Sequence, residues 1–482
     1  VPRQEFDVVV VGAGSAGCAL AARLTEDQAR RVLLLEAGPA ESTPDLLDVG
    51  SLAATQPGHP SNWAYPAQLR PGRVTTVPRG RGLGGSSAIN GASWLRATPA
   101  DADGWGVPGW TWADLLPHYI RSENDLDHPG SPWHGDRGPV RVQRPTAQLT
   151  HPATTRFLAA AGRLGFPAEP DKNAGGPPGA GLLPSSGIDG VRVSTARAYL
   201  REPRTNLVLR TDSAVARVLL DGDRARGVEL HDGTVVEAGE VVLAAGAIAT
   251  PQLLLLSGIG PPDDLRAVGV AVARDLPGVG QDWSDHPAVY LPFGTGDPPA
   301  HPHATCVQAS LDLDAGADPA GDVEVMLFVR PFENGSDLHL MCALQRPDSR
   351  GTITLTSPDP RARPQVSYAY LRTEHDRRRL RHAIRVGADM LRAGLGTRTA
   401  PTGDVLGSDR ALDGWIAAHL GTTQHLSGSA AIGPVVDSEL RVHGVADLRV
   451  ADTSVLPVVP RRGTAATAVA IGEKAAELLR RR

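Results

Sequence analysis

Residues 6–38 read FDVVVVGAGSAGCALAARLTEDQARRVLLLEAG. Asp7 and the four valines ending at Val11 make a β-branched strand, followed by a turn holding Gly12, Gly14, Ser15, Ala16 and Gly17. Ala19, Leu20, Ala22 and Leu24 then mark a helix, and a second apolar strand spans 31–35 before Glu36 and Ala37. Each glycine answers a separate need. Gly12 allows the tight turn, Gly14 lets a pyrophosphate approach the backbone, and Gly17 lets the helix lie close against the strand, its positive N-terminus facing the phosphates. Glu36, 19 residues after Gly17, stands where a carboxylate accepts both hydroxyl protons of an adenosine ribose, which favours an intact ribose over a 2′-phosphate. The stretch predicts a dinucleotide site and leaves NAD and FAD both open.

A chain of 482 residues is long enough for a large core and about two or three domains. The formal charge of −5, with no basic cluster interleaved with aromatics, argues against a nucleic-acid partner. Lysine occurs only at Lys172 and Lys474, so nearly all positive charge is arginine, a usage that suggests a GC-rich bacterial genome. Cys18, Cys306 and Cys342 lack metal-ligand spacing, so free thiols in a reducing compartment and no metal are expected. A first strand starting at residue 6 leaves no room for the regions of a signal peptide. The apolar run at 240–260 is interrupted by Pro251 and Gln252. A cytoplasmic protein with no integral membrane segment is therefore expected.

Residues 79–96, RGRGLGGSSAINGASWLR, form a second glycine-rich segment. It offers backbone N–H groups and small hydroxyls with little bulk between them, suited to a second anion or flavin-edge cradle. Gly84-Gly85-Ser86-Ser87, Asn90, Trp94 and Ala97 resemble the first signature of the glucose-methanol-choline (GMC) family of FAD oxidoreductases. Gly246-Ala247, Thr250-Pro251, Leu253-Leu254 and Ser257-Gly258-Ile259-Gly260 resemble the second. The likeness continues through LPGVGQDWSDHP at 276–287, SRGTITLTSPDP at 349–360 and the block at 425–474. Its HLSGSA and RGTAATA runs look most like the mycofactocin-associated branch.

The resemblance implies an α/β fold, α+β overall: a Rossmann-like FAD-binding domain interleaved with a substrate domain built on an antiparallel sheet. Residues 1–150, with a loop or lid near 40–75, would begin the flavin domain, 201–290 continue it and 421–482 complete it with active-site residues. Residues 151–200 and 291–420 would supply the substrate domain. Asp221-Gly222 and Asp232-Gly233 mark hairpin turns, and 374–395 reads as a surface helix with a solvated arginine face.

By resemblance, flavin contacts include Arg79, Gly84, Gly85, Ser86, Asn90, Gly91 and Ala92 in the first signature and Ala245 and Gly246 before the second. Val215 is placed where a backbone amide meets adenine, and Asp452, Thr464 and Ala465 lie near the pyrophosphate, ribityl chain and flavin. Asn90 aligns with a position that is a flavin-linked histidine in some relatives, so non-covalent FAD is expected.

Alcohol oxidation needs a base near the hydroxyl, and histidine suits working pH. His425, in TTQHLSGSAAIG, aligns with the family's active-site histidine, whereas His134, His286 and His443 read as structural. The position of the usual second His or Asn falls on Gly463, with Ala465 two residues on, and no His or Asn follows His443. Losing one donor to a developing alkoxide costs about 3–4 kcal/mol. Three explanations stay open: Arg461 or Arg462 replaces the donor, the substrate carries its own polar group, or glycine makes room for a bulky substrate. The expected activity is FAD-dependent oxidation of a primary or secondary alcohol. Electrons would pass to a non-oxygen acceptor, among them quinones, a respiratory chain that would bring the protein to a membrane, or a peptide-derived carrier such as mycofactocin. An oxygen-reducing oxidase and a flavin-scaffold lyase of the hydroxynitrile type are the alternatives.

Overall fold

The computed structural model describes residues 6–40, 43–332 and 335–480. The valine run forms β1 (Phe6–Val11), the helix α1 (Ser15–Leu24) follows the glycine turn, and β2 (Val32–Leu35) returns parallel to β1 with Val8 beside Val32 and Val11 beside Leu35. β3 (Leu207–Arg210) extends the sheet beyond β2, again in parallel. The hairpins predicted at the two Asp-Gly pairs connect β4 (Val215–Asp221), β5 (Arg224–Leu230) and β6 (Val235–Leu243), with Gly222 and Gly233 at positive φ. β6 divides its edge. Its first residues pair antiparallel with β5, while Val241 to Leu243 pair parallel with β1 on one side and with Leu448–Val450 on the other. These central strands are buried on both faces, which is why they read as unbroken apolar runs.

The second large sheet is antiparallel and alternates. β7 (Pro287–Gly294), β10 (Leu338–Leu344), β9 (Val323–Phe328) and β8 (Val307–Leu313) lie side by side in that order, with Ala180–Leu182 at the far edge. Leu338, Leu340, Cys342 and Leu344 belong to one apolar core with α2 (Glu374–Met390), so the residues between them take the opposite face. Gly387 lets α2 approach closely: a Cβ there would lie 3.0 Å from Cys342 Sγ and from Leu291 Cδ1. Two of the five arginines of α2 depart from the solvated face expected for them, whereas Arg378 is exposed and Arg377 and Arg385 are partly so. Arg379 is buried with Asp376 at 2.9 Å and Asp322 at 3.3 Å, and Arg381 with Asp413 at 2.9 Å.

The last helix, α3 (Ala465–Arg480), packs across α1 at Gly472, where a Cβ would lie 2.3 Å from the Ala16 carbonyl oxygen. That contact brings the start of α3 beside the glycine turn. No helix among the described residues is long and apolar enough to cross a membrane.

Candidate active site

One cavity of about 1450 Å³ runs from the glycine turn to the antiparallel sheet. Gly12, Gly14, Ser15, Ala16, Glu36 and Ala37 line its first end, and Val215, Ala245 and Gly246 lie along the same wall. Arg79, Gly85, Ser86, Asn90 and Gly91 line it from the second glycine segment. His425, Asp452, Gly463, Thr464 and Ala465 complete it.

The three glycines differ in their surroundings. Gly12 is at φ +105°, and a Cβ on Gly14 would meet nothing within 4 Å, so that backbone lies open to the cavity. A Cβ on Gly17 would sit 1.8 Å from the Gly12 carbonyl oxygen, so Gly17 closes the helix onto the turn and does not line the cavity. Gly84 and Ala92 are likewise set back. Gly84 donates to the Ala13 carbonyl at 2.8 Å, and buried Ala92, at φ +58°, accepts from the Ser186 amide at 2.9 Å. A Cβ on Gly85 would lie 2.8 Å from Gly14 Cα, so the two glycine segments touch through their bare backbones.

Glu36 is buried and accepts from Ala13 N at 3.0 Å, Gly38 N at 2.8 Å and Gly82 N at 3.0 Å. Three of a carboxylate's roughly four acceptor positions are thereby used, leaving about one for a ribose hydroxyl instead of the two expected. Burial raises its carboxyl above the ordinary value against the pull of those amides. Asp452 is engaged to the same extent: it accepts from Gly246 N at 2.8 Å, Thr250 Oγ1 at 2.6 Å and Ser454 N at 2.8 Å. Asn90 Oδ1 accepts from Ala92 N at 3.0 Å and Arg192 at 2.9 Å, which fixes the amide at the wall.

His425 reaches its place through pairing between distant segments. Thr422 pairs with Pro287 and Ser427 with Ser284, so residues 284–287 and 422–427 run alongside each other. Asp285 ties them together. Its Oδ1 accepts from His286 N at 2.7 Å and His425 N at 2.8 Å, and its Oδ2 accepts from Thr422 Oγ1 at 3.0 Å. Burial lifts this carboxyl to about 6, although Arg79 and the amides act the other way.

His425 Nδ1 lies 3.0 Å from His286 Nδ1 and 2.9 Å from Thr423 Oγ1. Its Nε2 faces Gly463, where a Cβ would lie 3.6 Å away. Burial and then the Arg79 charge depress the imidazole to about 3, so His425 is neutral at working pH. His286 is fully buried and depressed as well, by burial and by His425. Reading His286 as only part of a structural turn missed this contact.

Arg461 and Arg462 are turned away, which corrects the expectation that Arg462 contacts the alcohol. Arg462 is buried against Glu169, the Lys172 carbonyl and Asp312, while Arg461 pairs with Asp101 at 2.6 Å and with Asp318. Neither lines the cavity. His134 is structural, closed between Glu123 at 2.8 Å, Asp125 at 3.0 Å and Asp171 at 2.8 Å, away from the cavity wall.

The glycine cradle, the ribose-side carboxylate and the start of a 16-residue helix at Thr464–Ala465, aimed into the same long cavity, suit a flavin dinucleotide. Two family models described as GMC oxidoreductase match residues 6–288 and 347–472. The chain belongs to the GMC oxidoreductase family. An uncharacterised GMC-type oxidoreductase of Rhodococcus erythropolis is 38% identical over 98% of both chains. The oxygen-dependent choline dehydrogenase of Paraburkholderia phymatum is 35% identical over 99% of this chain and 93% of its own. The crystal structure of pyridoxine 4-oxidase from Mesorbium loti superposes with a TM-score of 0.91 at 30% identity, covering 99% of this chain and 100% of that one. As a GMC oxidoreductase the protein uses FAD.

Proposed function

We propose that this GMC oxidoreductase converts a primary or secondary alcohol to a carbonyl compound. The position of His425 Nε2 supports this most directly: it faces the cavity beside Gly463 on a ring that is neutral at working pH. FAD, when bound, supplies the acceptor for the hydride of the carbinol carbon. The backbone at Gly12, Gly14 and Gly85, the Glu36 carboxylate and the positive end of α3 would hold it.

His425 takes the hydroxyl proton at Nε2. This requires its one ring proton at Nδ1, donated to His286 Nδ1. His286 then carries its own proton at Nε2. With the second proton at Nε2, the positive charge on His425 is shared through its Nδ1–H with His286 Nδ1 and Thr423 Oγ1 while Asp285 keeps the two segments in place.

The electrons leave to an acceptor other than oxygen. A peptide-derived carrier such as mycofactocin rests on the HLSGSA and RGTAATA runs alone. Relatives named oxygen-dependent choline dehydrogenase and pyridoxine 4-oxidase favour oxygen as a second reading. Anaerobic mixing with alcohols, followed by admission of air, tests each step. Flavin bleaching supports alcohol oxidation, and consumption of substrate with the flavin still yellow would point to a lyase. Slow reoxidation in air supports a separate acceptor, whereas reoxidation within one turnover would establish an oxidase.

A further inference from the structure

The antiparallel sheet closes the cavity with rings and thioethers. Tyr290 of β7, Met326 and Phe328 of β9, and His339 and Met341 of β10 line it, with Met326 opposite Met341 and Phe328 opposite His339. Phe332 joins the group. Its ring lies 5.2 Å from both Tyr290 and Phe328 and 4.3 Å from His339, with the last pair stacked at 24°. Such a wall favours a flat apolar partner through ring–ring and sulfur–ring contact.

An aromatic wall also suits a quaternary ammonium group, but the charges here oppose one. Glu36 and Asp452 are the carboxylates among the described lining residues, and both are engaged by backbone or hydroxyl donors at the dinucleotide end. Arg330, two residues beyond Phe328, lines the cavity, and its nearest carboxylate, Asp48, is 3.7 Å away. The absence of a side chain at Gly463 leaves room beside His425 Nε2. Building on the alcohol-oxidising reading, we infer that the substrate is an alcohol without positive charge whose carbinol carbon is attached to an aromatic ring, with the ring held by Tyr290, Phe328 and Phe332.

The test uses the FAD-loaded enzyme with benzyl alcohol, cyclohexylmethanol and choline under anaerobic conditions. Benzyl alcohol should half-saturate flavin reduction at about one-tenth the concentration needed for cyclohexylmethanol, the ratio expected from about 1.4 kcal/mol of ring–ring contact. Choline should be the poorest of the three, and Phe328→Leu should erase most of the difference between the first two. Equal or better saturation by cyclohexylmethanol, or a preference for choline, would overturn the inference while alcohol oxidation stands. If no alcohol bleaches the flavin, ligand-induced changes in the oxidised flavin spectrum decide it. Tighter binding of benzyl alcohol then preserves the aromatic pocket and removes the oxidation reading, and equal binding removes both.

Discussion

His286 Nδ1 and His425 Nδ1 are 3.0 Å apart, so one neutral ring must donate to the other. With a base required at His425 Nε2, His286 is the acceptor that sets the tautomer. Because His425 is held at about 3 by burial and by Arg79, it stays deprotonated throughout the neutral range. Protonation, and with it loss of the base, occurs only as the pH falls toward that value. The profile of kcat/KM should therefore show no acidic limb near 6.5. His286→Asn should lower kcat/KM by about 10- to 100-fold, no more than the lower end of a full general-base contribution, without altering the bound flavin's absorbance. A titration near 6.5 in the wild type, or an unaffected variant, would show that the pair does not govern the base.

Gly463 leaves a place next to the base that a side chain can enter. A Cβ there lies 3.6–3.7 Å from the His425 ring, an ordinary contact distance, so Gly463→Asn should fold normally. The added amide gives a developing alkoxide a donor, a contribution of up to about 3 kcal/mol, and narrows the site. Stopped-flow reduction should become faster with ethanol-sized alcohols and slower with bulky ones. Acceleration of both would show that the glycine does not make room.

Arg462→Ala should act on stability. Removing one member of the buried group with Glu169 and Asp312 leaves uncompensated charge and costs about 3–5 kcal/mol. Denaturant melts should record that loss, while the limiting rate of flavin reduction in the folded fraction is retained. Slowed reduction at full stability would return Arg462 to the reaction.

Gly14→Ala and Gly17→Ala should fail in different ways. The first places a methyl in open cavity and should weaken FAD binding while the apoprotein keeps its melting temperature. The second drives a methyl to 1.8 Å from the Gly12 carbonyl oxygen and should destabilise the apoprotein itself. Calorimetry with FAD titration separates the two, and equal effects on both quantities would contradict the division of roles.

The glycine turn, its flanking strands and the two Asp-Gly hairpins were legible because each depends on neighbours within a few residues. The family likeness singled out His425 and Gly463, and the structure sets the two side by side. His286 was not legible. Its contact with His425 spans 139 positions and exists because Ser284 pairs with Ser427, which no local pattern announces. Arg462 misled for the opposite reason: adjacency to Gly463 in the chain says nothing about side-chain direction, and the buried acids Glu169 and Asp312 decide it. Which face of β9 and β10 meets the cavity depends on where α2 packs, a long-range contact that the strands' own residues do not announce.

Anaerobic reduction of the bound flavin, compared between wild type and His425→Ala, tests the role of His425 most directly. The variant should retain FAD with an unchanged absorbance spectrum and be reduced by alcohol about 10²- to 10⁴-fold more slowly. Reduction at the wild-type rate would show that the proton is taken elsewhere and that His425 is not the base.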